Sequence, residues 1–308
     1  MSNEFFSIVA DGEDECAKPG YESSVVARIT GEGDVEGALV INYKNHQYRH
    51  RSDECSKCGR TGVPSQHIVL CRGLVNSRTD GEGRTYAGEG CTLQPVPSPD
   101  GREVGYIVGQ SGAGKTVFLV NYTIEYMTMF ENNQVFVFTG ASASDPAYAK
   151  ILTNPVMRER ITFATIGKEI LDQTLDPESF AESLVIFDDT GAIEDKDVKK
   201  KIDSLRSRLC LVGRHKNVSV INTNHLESEF TDKSLKTAIT ESHFVVVFPR
   251  YGTEVGLNRL LTTWYGLPNR TKEDKAVVQQ IKGVPSRWAY LRKGFPKYVL
   301  HESGGFIL

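Results

Sequence analysis

Long apolar runs are what this sequence most clearly lacks. The longest uninterrupted stretches, such as Phe244–Phe248, suit a buried strand and fall far short of the ~20 residues that cross a bilayer as a helix. Met1–Ala17 carries acids where a secretory leader would carry bases. Together these absences predict a soluble, non-secreted protein without a membrane span. Cysteine is scarce as well: six in 308 residues, unevenly placed. That excludes a disulfide-stapled secreted scaffold and favours a reducing compartment. No internal repeat or low-complexity tract is present, which excludes a solenoid. With 39% apolar and 24% charged residues, the chain has the composition of an ordinary globular protein. Its length accommodates one large α/β domain plus a smaller appendage.

A net positive charge is missing too, the formal total being −3. The distribution is uneven, however. Residues 195–308 hold 20 Lys/Arg against 11 Asp/Glu, and residues 1–194 hold 16 against 28. A basic C-terminal half is what gripping a polyanion requires, although solvated helix faces contribute to such a count. The first hundred residues are rich in Gly, Glu and Asp, with short β-like runs at Val25–Thr30, Ala38–Tyr43 and His67–Cys71. Pro95-Val-Pro-Ser-Pro-Asp-Gly101 has turn-and-linker composition. It marks a boundary between an N-terminal region, 1–100, and a larger domain, 101–308.

Beyond that boundary strand and helix signals alternate. Val104–Val108, Val135–Phe138, Ile161–Ala164, Leu184–Phe187, Val218–Ile221 and Phe244–Phe248 read as buried strands. Thr116–Phe130 is apolar nearly all round and reads as a buried helix. Asp195–Val212 places Val198, Ile202, Leu205, Leu209 and Val212 on one helical face. Acids open this helix, Arg206 and Arg208 lie toward its end, and Gly213 is the expected C-cap. The predicted class is α/β: a mainly parallel sheet flanked by helices, in a P-loop NTPase core.

That core is announced by Gly109-Gln110-Ser111-Gly112-Ala113-Gly114-Lys115-Thr116, which fits G-x-x-x-x-G-K-[ST] between a strand and a helix. Glycines at 109, 112 and 114 let backbone amides approach phosphate where a Cβ would obstruct. Lys115 can reach the β- and γ-phosphates of ATP, and the Thr116 hydroxyl can ligate Mg²⁺. All eight positions are expected to cradle nucleotide at a helix N-terminus.

Binding is not yet a reaction. Leu184-Val-Ile-Phe-Asp188-Asp189 ends a strand in two acids. Asp188 is placed to hold Mg²⁺, and Asp189 to orient or deprotonate an attacking water. After the strand at Val218–Ile221 come Asn222-Thr223-Asn224-His225, where a polar tip can sense the γ-phosphate. Arg214 and His215 precede that strand, and Arg250 follows the next one. A guanidinium at either place can act on a neighbouring subunit's nucleotide.

The order of these segments resembles a known family. Gly-x-Ser-Gly-x-Gly-Lys-Thr, Val-Ile-Phe-Asp-Asp-Thr-Gly, Val-Gly213-Arg214-His215-Lys-Asn-Val, the Thr-Asn-His strand and Phe-Val-Val-Val-Phe-Pro-Arg250 are similar to the poxvirus-type DNA-packaging ATPases. Those are proteins of the nucleocytoplasmic large DNA viruses and relatives, within the FtsK–HerA class of P-loop motors. The doubled Asp and the Gly-Arg-His segment select the viral branch over cellular translocases, and the match covers about residues 104–308. The resemblance implies a RecA-like core, a homo-oligomeric ring and translocation of double-stranded DNA into a viral capsid at its portal vertex. It also implies residence in the host cytoplasm or viral assembly site, or in the virion, and makes Arg214 the first choice of arginine finger. Where the family carries Gln or Asn as polar sensor, Asn224 and His225 compete. A cellular-type translocase or helicase, and a slow nucleotide-dependent scaffold, are the alternative readings.

Two features remain. Cys55-x2-Cys58, followed by His67-x3-Cys71 and later Cys91, has spacing that can close a tetrahedral Zn²⁺ site, though free thiols in a loop-rich region would look the same. In the tail, Lys282, Arg287, Arg292, Lys293 and Lys297 interleave with Trp288, Tyr290 and Phe295. The stretch reads either as a sequence-blind DNA contact or as a β-hairpin.

Overall fold

Apolar runs of strand length, separated by helices, can bury both faces only in a parallel sheet covered on each side. The computed structural model realises this between residues 99 and 288. It describes residues 6–10, 22–30, 37–43, 67–70, 78–79, 85–87, 92–98, 101–140, 145–164, 166–225, 233–267, 270–294 and 297–308. Cα proximity divides the chain into two units, Pro99–Trp288 and a second made of Met1–Ser98 with Ala289–Leu308.

The second unit is mainly antiparallel, although Ile68–Leu70 pairs in parallel with Thr85–Ala87. Strands β1 (Phe6–Ala10), β2 (Glu22–Thr30), β3 (Gly37–Tyr43), β4 (His67–Leu70), β5 (Arg78–Thr79), β6 (Thr85–Ala87) and β7 (Thr92–Pro95) arise in its N-terminal part. One sheet runs β1–β3–β2–β7, all antiparallel, with an irregularity between Val25 and Ala27.

The larger unit contains β8 (Val104–Val108), β9 (Gln134–Thr139), β10 (Ile161–Ala164), β11 (Ser183–Asp188), β12 (Ser219–Asn224) and β13 (Phe244–Val247). Its helices are α1 (Lys115–Met129), α2 (Ala149–Leu152), α3 (Pro155–Glu159), α4 (Lys196–Val212), α5 (Lys233–Thr240), α6 (Glu254–Arg259) and α7 (Lys272–Lys282). The strands lie in the order β10–β9–β11–β12–β8–β13, every pair parallel. The loop-bearing strand β8 is thus separated from the acid-bearing strand β11 by β12. All residues of β8, β11, β12 and β13 are buried. Each such Val, Ile, Leu or Phe contributes about 1.5–3 kcal/mol by leaving water.

Strand β12 runs further than the apolar run suggests. The expected end at Ile221 is replaced by pairing that continues through Asn222↔Tyr106 to Asn224↔Val108, because the parallel ladder satisfies the backbone of these buried polar residues. Helix α4 buries Val198, Ile202, Leu205 and Leu209 as expected, together with Arg206 and Cys210, but Val212 is exposed. Asp195 caps its start by accepting from Asp197 and Val198 N–H. Gly213 keeps right-handed backbone (φ −56°) and leads into a 3₁₀ turn, and the left-handed residue is Asn217 (φ 51°). The carbonyls of Leu209, which also takes the Gly213 N–H, and Cys210 accept from the Arg102 guanidinium at 2.8 and 2.6 Å. Arg160 treats the end of α1 alike, donating to Met127 O and Phe130 O. A cation on the last carbonyls of a helix also answers its dipole.

The tail forms β14 (Ala289–Arg292), β15 (Tyr298–His301) and β16 (Gly304–Ile307), the hairpin alternative for this stretch, in a sheet ordered β14–β15–β16–β4–β6–β5. Leu93 N–H donates to Glu302 O at 2.9 Å within the same unit. Trp288 and Tyr290 are buried, so they are core side chains rather than stacking platforms for bases. Burial pushes the His301 imidazole down to about 4. Below its usual value near 6.5, the unfolded chain takes up a proton that the folded chain refuses. Stability is therefore complete above about pH 6.5 and falls as pH drops toward 4, by up to about 3 kcal/mol. Thermal unfolding followed from pH 7.5 to 4.5 should show this slope, and His301→Gln should flatten it. An unchanged slope in the variant would remove His301 as its cause.

Candidate nucleotide-binding and hydrolytic site

The carboxyl ends of parallel strands collect the loops, and here β8, β11 and β12 bring three of them together. The loop after β8 opens α1 with Gly112 and Gly114 in left-handed backbone (φ 76° and 103°), a conformation L-residues adopt at a steric cost. Gly109 N–H donates to Asn224 O at 3.1 Å. That amide therefore extends the β12–β8 ladder, and the turn proper begins after it. Lys115 is buried, and its Nζ donates to Gly109 O (3.1 Å) and Gln110 O (3.3 Å). Gln110, Ser111 and Gly112 are exposed, and Thr116 is half-buried beside them.

Asp188 ends β11 at 3% exposure. Its Oδ2 accepts from the Tyr148 hydroxyl at 2.9 Å and its Oδ1 from the Thr223 hydroxyl at 2.5 Å. Burial holds the Asp188 carboxyl above the usual carboxylate range, while the two hydroxyls pull it back down. The Tyr148 phenol is raised well beyond its ordinary value, by burial and then by the Asp188 charge.

Asp189 turns the chain sharply. Its backbone is left-handed (φ 46°, ψ 34°), a region where Asp and Asn are the least penalised residues after glycine. Its N–H donates to Thr223 Oγ1 at 3.0 Å, so Thr223 joins both acids at once. Oδ1 of Asp189 is enclosed without a hydrogen bond, with His225 Nε2 at 3.5 Å and Lys115 Nζ at 3.9 Å as flanking positive or polar groups. The end of β9 closes the other side: Gly140 N–H donates to Asp188 O at 3.1 Å. A Cβ on Gly140 would lie 2.5 Å from Asp189 O, so this glycine is required for close approach.

Lys115, Asp188 and Asp189, singled out in the sequence, are therefore neighbours. Of the two sensor candidates, Asn224 serves the P-loop through its carbonyl and His225 faces Asp189. Arg214 and Arg250 are exposed and lie at opposite ends of the sheet, Arg214 before the start of β12 and Arg250 after the end of β13. Sequence reasoning misses Tyr148 altogether, and it places Thr223 in the polar strand end without its link to both acids. Arg206, expected near the helix end as a dipole partner, is instead buried at 1% exposure. Asp188 and Thr116 offer the hard oxygen donors that Mg²⁺ takes, and Asp189 Oδ1 is enclosed without a hydrogen bond, a chemistry that fits this ion. Cys55, Cys58, Cys71 and Cys91 lie outside the described residues, as does the His67 side chain. Among the described residues no group of three or more His, Cys, Asp or Glu suited to a metal occurs, and no helix is long and apolar enough to cross a membrane.

Comparison with known proteins gives the following. Uncharacterized protein V3 of Sputnik virophage is 30% identical over 241 residues, covering 77% of this chain and 90% of that protein. Among solved structures, the genome packaging NTPase B204 of Sulfolobus turreted icosahedral virus 2 with ATP-gammaS matches at 7% identity, covering 67% of this chain and 97% of that one, with a TM-score of 0.41. B204 described as the DNA-packaging ATPase from Sulfolobus turreted icosahedral virus matches at 10% identity, covering 62% and 92%, with a TM-score of 0.40. Residues 105–248, which hold the P-loop, both acids and strands β12 and β13, match the family described as Poxvirus A32 protein, and the chain belongs to that family.

Proposed function

We propose that the protein hydrolyses ATP and uses the energy to move double-stranded DNA into a viral capsid. The observation that carries the hydrolytic reading is the placement of Lys115 Nζ and His225 Nε2 around an Asp189 oxygen that has no hydrogen bond of its own. Lys115 would neutralise the β- and γ-phosphates held at the start of α1. Asp188 and Thr116 would hold Mg²⁺, which when bound offsets charge on the phosphate oxygens. Asp189 would take a proton from water as its oxygen bonds the γ-phosphorus and the bond to the β,γ-bridging oxygen breaks, leaving ADP and phosphate.

Family membership and motif order support the packaging role, as does the basic balance of residues 195–308, where Lys196, Lys200, Arg214 and Arg250 are exposed. A sequence-blind motor needs phosphate contacts rather than base readout. The test is ATP turnover with and without linear double-stranded DNA at low and moderate salt, with Lys115→Ala as control. Turnover should rise with DNA, the stimulation should weaken as salt increases, and Lys115→Ala should be inactive. Turnover indifferent to DNA at every salt concentration would favour the nucleotide-dependent scaffold.

A further inference from the structure

A guanidinium at 1% exposure is rarely kept without work to do, because desolvating it is costly and an apolar side chain of similar volume would pack as well. Arg206 sits midway along α4, with its cation 5.3 Å from the centre of the Phe187 ring. Nη1 donates to Ser234 Oγ, at the start of α5, at 3.0 Å, and lies 3.0 Å from Asp203 Oδ1. Nη2 donates to the Thr190 hydroxyl. Nε is buried without an acceptor. The contact with Thr190 is the telling one, since Thr190 follows Asp189 directly and is itself 1% exposed.

From this we infer that Arg206 is a positioning residue for the hydrolytic step. By holding the Thr190 side chain it fixes the left-handed turn that aims the Asp189 carboxylate, and by holding Ser234 it ties that turn to α5. The planar fork reaches the two hydroxyls through separate nitrogens, Nη1 and Nη2, at fixed spacing, whereas lysine would have to serve both from one shorter-reaching nitrogen. Misplacing a catalytic group by about 1 Å can cost on the order of 10²-fold in rate, so a side chain that does not touch substrate can still control turnover.

The inference rests on the proposed hydrolysis at Asp189, and the experiment separates the two. Thr190→Val, nearly isosteric, removes the acceptor. It should lower kcat about 10²-fold while the Kd for a fluorescent ATP analogue stays within about twofold, because the P-loop is untouched. Thr190→Ser keeps the hydroxyl and should restore turnover. Arg206→Lys should resemble Thr190→Val, which keeps the question answerable if the valine variant does not fold. Assays run well below each variant's melting temperature, so a loss of stability alone leaves kcat unmoved. Wild-type kcat in Thr190→Val or Arg206→Lys, or a loss that Thr190→Ser does not rescue, overturns the inference. With Asp189→Asn assayed alongside, full activity there would bring down the hydrolytic assignment and this inference with it. An inactive Asp189→Asn beside a fully active Thr190→Val would bring down the inference alone.

Discussion

Asp189→Asn protein is expected to bind ATP like the wild type and to hydrolyse it about 10²–10⁴-fold more slowly, the range contributed by a positioned general base. The substitution is a clean one at this place. Asn tolerates the left-handed backbone (φ 46°) that Asp189 occupies, and the Thr223 contact uses the main-chain N–H, which Asn retains. What disappears is the negative charge, and with it the basicity, of the carboxylate whose Oδ1 lies 3.5 Å from His225 Nε2 and 3.9 Å from Lys115 Nζ. Single-turnover assays with equilibrium binding of an ATP analogue resolve the two steps. Unchanged hydrolysis would move the base elsewhere, and lost binding would show that the acid supports the nucleotide pocket instead.

Larger still is the effect expected at Arg214. This residue is exposed in the turn before β12, whereas the P-loop meets the far end of that strand. Six residues of strand separate the two ends, roughly 20 Å at the usual rise, so Arg214 cannot reach the nucleotide of its own chain. If it serves a neighbour, Arg214→Ala protein binds ATP normally and turns it over about 10³–10⁵-fold more slowly. Mixing it with Lys115→Ala protein should restore measurable turnover wherever an intact Arg214 meets an intact P-loop. Absence of rescue in verified mixed oligomers would return Arg214 to the surface. It would also direct attention to Arg250, which lies at the P-loop end of the sheet after β13.

Much of this arrangement is legible in the residues themselves. The P-loop can be read because its glycines, lysine and threonine have one physical use in a strand-to-helix turn, and β8 and α1 follow from the apolar pattern on either side. The paired acids can be read because a fully apolar strand ends on them. Strand order is not legible: β8 pairs with partners more than a hundred residues away, and no local pattern records which apolar run lies beside which. Tyr148 escapes notice, and the role of Thr223 stays hidden, because a tyrosine in a short turn and a threonine at a strand end look ordinary until Asp188 is placed between them. Arg206 could have been found. It lies four residues after Ile202 and three before Leu209, squarely on the buried stripe of α4, and a charge on an apolar stripe asks for a partner.

The position of β8 also bears on how the chain comes to life on the ribosome. Its sheet neighbours in the larger unit are β12 and β13, which begin at Ser219 and Phe244. The P-loop is therefore synthesised long before the strands that hold it flat. At about 5–20 residues per second, a nascent chain waits several seconds or longer with an apolar strand and a half-made phosphate cradle exposed. During that interval the cradle lacks one fixed edge, because the Asn224 carbonyl that anchors Gly109 has not yet been made. On the proposed reading, ATP would meet a complete cradle only once Asn224 has emerged and paired, so binding would follow assembly of the central strands instead of nucleating it.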